Sequence, residues 1–408
     1  MTDSRGCLAG LRILDLSRVL AGPSCTQLLA DLGAEVIKVE RPGLGDETRH
    51  WGPPFVKDAD GNDTGESAYY LCCNRNKRSI TIDMSRPEGQ ALVKDLLRKS
   101  DVLIENYKVG GLRKFGLGYE DLRDEFPRLV YCSISGYGQT GPYANRPGYD
   151  MAAQAMGGLL SMTGEEGGPP VKVPVAINDI MSGMYATVAI LAALRNRDAT
   201  GHGQHIDVAL LDVQVAWLAN QALNYLIGGK VPVRLGTGHP NTVPYQAFDT
   251  QDGTVVLACN NDDQFRRFCE LVGRDDLPAD ERFATNAARV NNRRATVEVV
   301  QEIIRERSTA WWLNQLEKTN IMCVPVQTLD EVFEDPQVLH REMKISMPHP
   351  AAGSGKVDLL GNPLKLSDTP VRYRRQPPML GENTEEVLEE VLNMNASQIA
   401  SLRENGAI

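Results

Sequence analysis

No Cys-x-x-Cys pair occurs among the eight cysteines of this 408-residue sequence, and no His-Glu-x-x-His among its six histidines. The first absence excludes a zinc cluster or a disulfide framework, so Cys7, Cys25, Cys72, Cys73, Cys132, Cys259, Cys269 and Cys323 are expected to be buried thiols. The second leaves His202 and His205, in a glycine-rich turn with no carboxylate nearby, as a poor metal site; none is expected. Basic charge is scarce as well. With 43 Lys and Arg against 53 Asp and Glu the net charge is -10, which argues against nucleic acid as a partner and requires any anionic ligand to find locally basic ground. No uninterrupted apolar run reaches the length of about 18 residues that a membrane helix needs. The start "MTDSRGCLAG" lacks the layout of a signal peptide. A soluble, cytoplasmic protein is therefore expected, with no membrane partner. Internal repeats and low-complexity tracts are absent too.

What is present is ordinary globular material, 42% hydrophobic and 24% charged, in a chain long enough for two domains. "LRILDLS" (11–17), "GPSCTQLLADLG" (22–33) and "EVIKVE" (35–40) read as strand, helix and strand, with Pro23 in the helix's first turn. The alternation continues through "SITIDM" (79–84), a helix over 86–100, "DVLIENY" (101–107) and "LVYCSISGYG" (129–138), which predicts a doubly wound, parallel α/β sheet with helices on both faces. Residues 203–229 read as a strand and a helix ending in paired glycines. Beyond them "YQAFDTQDGTVVLACNN" (245–261) predicts a hairpin, followed by charged helices, so that about 225–335 forms a smaller α+β domain. Short strands and two capped helices close the chain: Asn383 with Glu386 has the spacing of a capping box, and Asn395 opens the last helix. Trp311 and Trp312 are expected to serve packing.

The first strand-to-helix turn, "SRVLAGPSC", has none of the G-x-G-x-x-G spacing that cradles a dinucleotide, which argues against a hydride-transferring dehydrogenase. Cys25 at that helix start has no nameable partner for thiolate chemistry. Arg41 and Arg49 follow the second strand, at the sheet edge where open α/β sheets bind ligands; a solvated surface role is the competing reading. In "VAINDIMSGMYATVAILAAL" (175–194), Asp179 stands at the mouth of an apolar helix, where the helix dipole and free N–H groups favour its ionised form. By itself that is the pattern of an N-cap. Ser182, Gly183, Ala186 and Ala189 give the helix a slim face, open to a close backbone or a narrow ligand.

Several stretches, "LDLSRVLAGP", "LGAEVIKVERPGLGDETRHWGPPF", "NRNKRSITIDM", "DVLIENY", "YCSISGYGQTGP", "PGYD", "INDIMSGMYA" and "GTGHPNTVPYQAFDTQDG", lie in this order across residues 8–253. Together they resemble the family III CoA-transferases, and most of all the dicarboxylate-using succinate–hydroxymethylglutarate branch. The resemblance implies that Asp179 is the nucleophile, forming an acyl-aspartyl anhydride and then an aspartyl-CoA thioester. It also implies that CoA is a substrate with no permanently bound cofactor, and that the donor is succinyl-CoA with a glutarate-type diacid as acceptor. CoA contacts map onto Leu20, Ala21, Arg41, Ile82, Asp83, Met84, Ser85, Asn106, Tyr107, Lys108, Lys114, Pro147, Gly148, Tyr149 and Asp150. Lys114 and Ser85 stand where formyl-CoA transferase carries an arginine and a lysine. The glycine-rich loop of that enzyme is replaced by Asn260 and Asn261, which argues against oxalate as acceptor. Arg18 is a candidate cation for the diacid's distal carboxylate, or else for a CoA phosphate.

The related α-methylacyl-CoA racemases carry a histidine where this chain has Tyr149, a poor proton shuttle, which favours transfer over racemisation; Tyr149 is expected near the thioester or half-buried in a core. A non-catalytic CoA-binding protein is the third class. The resemblance further implies an interlocked homodimer of chains divided into a large, Rossmann-like CoA-binding domain (1–205 and 351–408), a small α+β domain (231–330) and crossing linkers (206–230 and 331–350).

Overall fold

In the computed structural model, which describes residues 6–408, the β-branched and aliphatic runs read above form six parallel strands. Their order across the sheet is Lys77–Thr81, Glu35–Glu40, Arg12–Asp15, Val102–Glu105, Val130–Ser135, His205–Ala209. The middle strands are buried on both faces, as the continuous apolar runs "VLIE" and "VYCSI" require of a parallel sheet. One face packs Ile13, Val36, Ile104 and Cys132 against helices Ala21–Asp31 and Ile177–Thr200. The other packs Leu14, Ile37, Leu103 and Tyr131 against helices Pro87–Leu97, Thr384–Leu392 and Ala396–Glu404. The chain is thus mixed α/β around a parallel sheet.

Contacts divide the chain into two compact units. One holds the residues through Gly158, Val173–Trp217 and Pro336–Ile408; the other holds Leu159–Lys172 and Leu218–Asp335. The second unit is built on a three-stranded antiparallel sheet in which Thr254–Ala258 lies between Tyr245–Asp249 and Met322–Pro325. The expected hairpin is there, closed by Thr250 N–H donating to Gly253 O at 2.9 Å. Trp312, fully buried, donates to Ile304 O at 2.8 Å, and Trp311 meets it edge-on, so both serve packing.

Not every expectation holds. The C-terminal strands do not join the large sheet: Lys344–Pro348 and Lys356–Leu360 pair with each other, antiparallel, and only the last two helices cover the parallel sheet. Residues 206–230 and 331–350, expected to link the domains, hold regular structure, the first as its strand-and-helix reading requires. The first carries helices Leu210–Ala216 and Ala219–Gly228, the latter running into the paired glycines, and the second carries helix Pro336–His340 and strand Lys344–Pro348. Asn383 and Glu386 do not form a capping box. The Asn383 carbonyl oxygen accepts from Ser79 N–H at 3.1 Å and its amide donates to Glu386 at 2.7 Å, tying the helix to the sheet; Asn395 does cap, with Gln398, in both directions. Finally, helix Ile177–Thr200 is long and apolar enough to cross a membrane by length and composition. Its Ser182, Gly183, Ala186, Ile190, Ala193 and Leu194 are buried within the first unit. Residues 1–5, part of the stretch read for a signal sequence, lie outside the described residues.

Candidate functional site

At the carboxyl ends of the first four parallel strands in chain order, the loops that follow them enclose a cavity of about 760 Å³. It is lined by Arg18, Arg41, Ile82, Asp83, Met84, Ser85, Tyr107, Lys108 and Lys114, nine of the residues singled out in the sequence. Arg41 is exposed, and neither it nor Lys108 nor Lys114 is ion-paired with a described residue. On a chain of net charge -10 this is locally basic ground with charge to spare for an anion. Asp83 stands among these cations, its carboxyl held below the usual range by the Ser85 hydroxyl and N–H.

The floor of the cavity is rigid for a reason that the sequence hid. Lys38, fully buried, donates to Asp46 at 2.9 Å and to Ser17 O at 2.9 Å. The Asp46 carboxylate also accepts from the N–H groups of Val19 (3.2 Å) and Thr48 (3.0 Å), so one ion pair ties the first and second loops together. Lys38 holds Asp46 ionised, its carboxyl lowered to about 2 against the opposing effect of burial. Arg49 is not a solvated charge. It is buried between Glu40 and Glu66 and stacks 3.7 Å from the Tyr70 ring centroid. Val19 has φ 68, a costly conformation for a β-branched residue, and the Asp46 bond to its N–H helps to hold it.

Asp179 is the third residue of its helix, half-buried, and is not the N-cap. Ala176 occupies that position without a side-chain cap. The cap comes from elsewhere in the chain: Asp150, 8% exposed, accepts the Asn178 N–H at 2.9 Å and the Asp179 N–H at 3.4 Å. Gln154 fixes it from the other side at 2.7 Å. The expected ionisation by the helix dipole is corrected as well. Burial, and next the Asp150 charge, push the Asp179 carboxyl up to about 7, because desolvation of a carboxylate outweighs what the helix end returns. The slim face receives a backbone: a Cβ on Gly183 would stand 2.6 Å from Ala21 O, which brings the helix bearing Asp179 against the start of helix Ala21–Asp31.

The remaining expected residues are placed as follows. Leu20 and Ala21, both buried, form the start of that first helix. Asn106 clamps Arg18, accepting its N–H at 2.9 Å and donating to its carbonyl at 2.7 Å. Pro147 and Gly148 precede helix Asp150–Met156, and Gly148 crosses Gly136 so closely that a Cβ on either would collide with the other's backbone. Tyr149 is 75% exposed, which removes the half-buried core reading. Asn260 and Asn261 belong to the second unit, where Asn261 caps helix Asp262–Val272. Cys25 is buried and its thiol pushed up to about 12 by that burial, so it is no thiolate. Cys7 and Cys72 are exposed, contrary to the expectation for all eight thiols.

Sequence reasoning missed Tyr69. Burial and then the Asp179 charge raise its hydroxyl to about 12, and Trp51 meets it edge-on at 5.1 Å. Nothing in "GESAYYL" marks it, since only folding brings it beside Asp179.

Residues 8–384 match the family model described as CoA-transferase family III. The chain is a family III CoA-transferase. A succinate–glutarate CoA-transferase of Agrobacterium fabrum is 48% identical over 395 residues, covering 96% of this chain and 97% of that one. The human succinyl-CoA:glutarate CoA-transferase is 44% identical over 401 residues, covering 98% and 90%. A crystal structure of a CAIB/BAIF family protein from Brucella suis is similar with a TM-score of 0.83 at 46% identity, covering 95% of this chain and 99% of that one.

Proposed function

We propose that this CoA-transferase moves CoA from succinyl-CoA to glutarate or a closely similar dicarboxylate, with Asp179 as the covalent nucleophile. An Asp179 oxygen attacks the thioester carbon, the C–S bond breaks, and an anhydride and CoA thiolate result. The thiolate returns to the aspartyl carbonyl, releasing succinate and leaving an aspartyl-CoA thioester. The acceptor carboxylate adds to that thioester, expelling the thiolate and forming a second anhydride. Attack by the thiolate on its acyl carbon gives the new acyl-CoA and restores Asp179. Each step exchanges one activated carboxyl for another, so no step is steeply uphill.

The observation that carries this reading is the placement of Asp179: a half-buried carboxyl whose proton affinity is tuned to neutrality and whose backbone is fixed by Asp150. The unpaired Arg41, Lys108 and Lys114 around the cavity suit the phosphates of CoA. CoA enters as substrate and no permanent cofactor is required. The dicarboxylate class rests on what the relatives are called. The strand order around Arg12–Asp15 supports a doubly wound, Rossmann-like description, with the ligand at the point where the order reverses. An interlocked homodimer fits the apolar side chains that each unit leaves exposed: Tyr185 and Val188 on the helix bearing Asp179, and Leu226 and Ile227 on helix Ala219–Gly228.

The test is to incubate the protein with succinyl-CoA and a panel of free diacids and follow new acyl-CoA by mass spectrometry, trapping the intermediate with hydroxylamine. Glutaryl-CoA formation with modification at Asp179 is expected. Entry of solvent deuterium at the α-carbon without exchange of CoA would replace this reading with racemisation.

A further inference from the structure

Arg18 and Glu47 face each other in the wall of the same cavity and form an ion pair through one amino group of the guanidinium. The two partners are held very differently. Arg18 is fixed: Asn106 binds both its backbone groups, the strained Val19 follows it, and its guanidinium lies 4.8 Å from the Tyr107 ring centroid. Glu47 opens the short 3-10 turn Glu47–His50, and its side chain is 47% exposed against 39% for Arg18. The pairing also leaves the arginine fork half used, because Arg18 Nε is buried with no acceptor. A pair this exposed is weak, and an incoming anion with better geometry readily exceeds it. In this respect Arg18 differs from Arg41, Lys108 and Lys114, which have no carboxylate to displace.

We infer that Glu47 is a displaceable internal stand-in for a ligand anion on Arg18, and that a ligand's own carboxylate or phosphate takes its place there. The inference rests on the CoA-transferase reading and adds to it a residue that sets the affinity for that anion. A ligand lacking that anion leaves the pair closed; one carrying it must open the pair, so its affinity is lowered by the strength of the Arg18–Glu47 bond. Removing the charge of Glu47 therefore strengthens binding of the matching ligand, the reverse of what loss of a binding residue does.

The experiment compares the parent protein with Glu47→Gln, Arg18→Gln and the double variant, measuring dissociation constants for succinyl-CoA, butyryl-CoA and CoA by calorimetry, with melting temperatures to verify folding. Glu47→Gln is expected to tighten succinyl-CoA roughly two- to five-fold, and to do nothing further once Arg18 is Gln. Tightening confined to succinyl-CoA identifies the distal carboxylate as the displacing anion, and equal tightening of all three identifies a CoA phosphate. Unchanged or weaker binding by a folded Glu47→Gln protein, or the same tightening in the Arg18→Gln background, overturns the inference. If the parent binds and exchanges CoA while Glu47→Gln matches it, the inference alone falls. A parent that binds none of the three overturns the reading and the inference together.

Discussion

Asp150 and Asp179 meet at the first turn of helix Ile177–Thr200: the carboxylate of the first accepts the backbone N–H of the second at 3.4 Å and that of Asn178 at 2.9 Å. One acid thus caps the helix that carries the other, and its charge adds to the burial that raises its neighbour's proton affinity.

Activity should accordingly rise with pH through an acid limb near 7, because only ionised Asp179 attacks the thioester. The sign for stability is opposite. The folded carboxyl holds its proton to a higher pH than the unfolded one, so between about 4 and about 7 the native state binds more protons and stability falls as pH rises, levelling above that. Asp179→Asn should remove this penalty, melting higher than the parent at pH 8 by a margin on the order of 2 kcal/mol, with the margin shrinking towards pH 4. It should also lose activity by roughly a thousand-fold or more. Equal melting of the two proteins at pH 8 would show that Asp179 is not desolvated as described.

Asp150→Asn keeps an oxygen for the two N–H groups and removes the charge. The acid limb of kcat/KM should move to lower pH while the fold survives; Asp150→Ala, which also removes the cap, should cost about 1 kcal/mol of stability as well. An acid limb unmoved in Asp150→Asn would assign the whole shift of Asp179 to burial.

Gly183→Ala sets two effects against each other. Replacing glycine inside a helix gains about 0.5–1 kcal/mol. The new Cβ, however, meets Ala21 O at 2.6 Å, a backbone atom that cannot rotate away, and overpacking of this kind costs about 1–3 kcal/mol. The clash should win, lowering the melting temperature and, by pushing on the start of helix Ala21–Asp31, lowering activity as well. A variant as stable and active as the parent would mean that the two helices separate without strain.

These residues also show what the sequence could reveal. The parallel sheet was legible because its strands are continuous apolar runs alternating with helical periodicity. The hairpin of the second unit was legible because of its Gln-Asp-Gly turn. Arg41, Lys108 and Lys114 follow strands whose carboxyl ends were predictable, so their convergence was foreseeable in kind. The proton affinity of Asp179 was not, since it depends on desolvation and on Asp150, 29 residues earlier in the chain. Nor were Arg49, Lys38 and Asp46 as buried ion pairs: charged residues read as surface until the fold supplies partners. Tyr69 and Trp51 carry no local signature at all.

Arg41 offers the sharpest check on the anion site. It is exposed and forms no ion pair with a described residue, so its truncation should leave the fold intact while removing a charge-assisted contact worth about 1.5 kcal/mol or more. That corresponds to a rise of about ten-fold in KM for acyl-CoA with kcat little changed, since the contact is made equally in ground and transition states. Arg41→Lys should recover part of the loss, keeping the charge without the two-pronged geometry. With Arg41 serving a CoA phosphate, the KM of the free diacid should stay put. If Arg41→Ala instead raised the KM of the diacid and spared that of acyl-CoA, the cavity would hold the acceptor and the CoA would lie elsewhere.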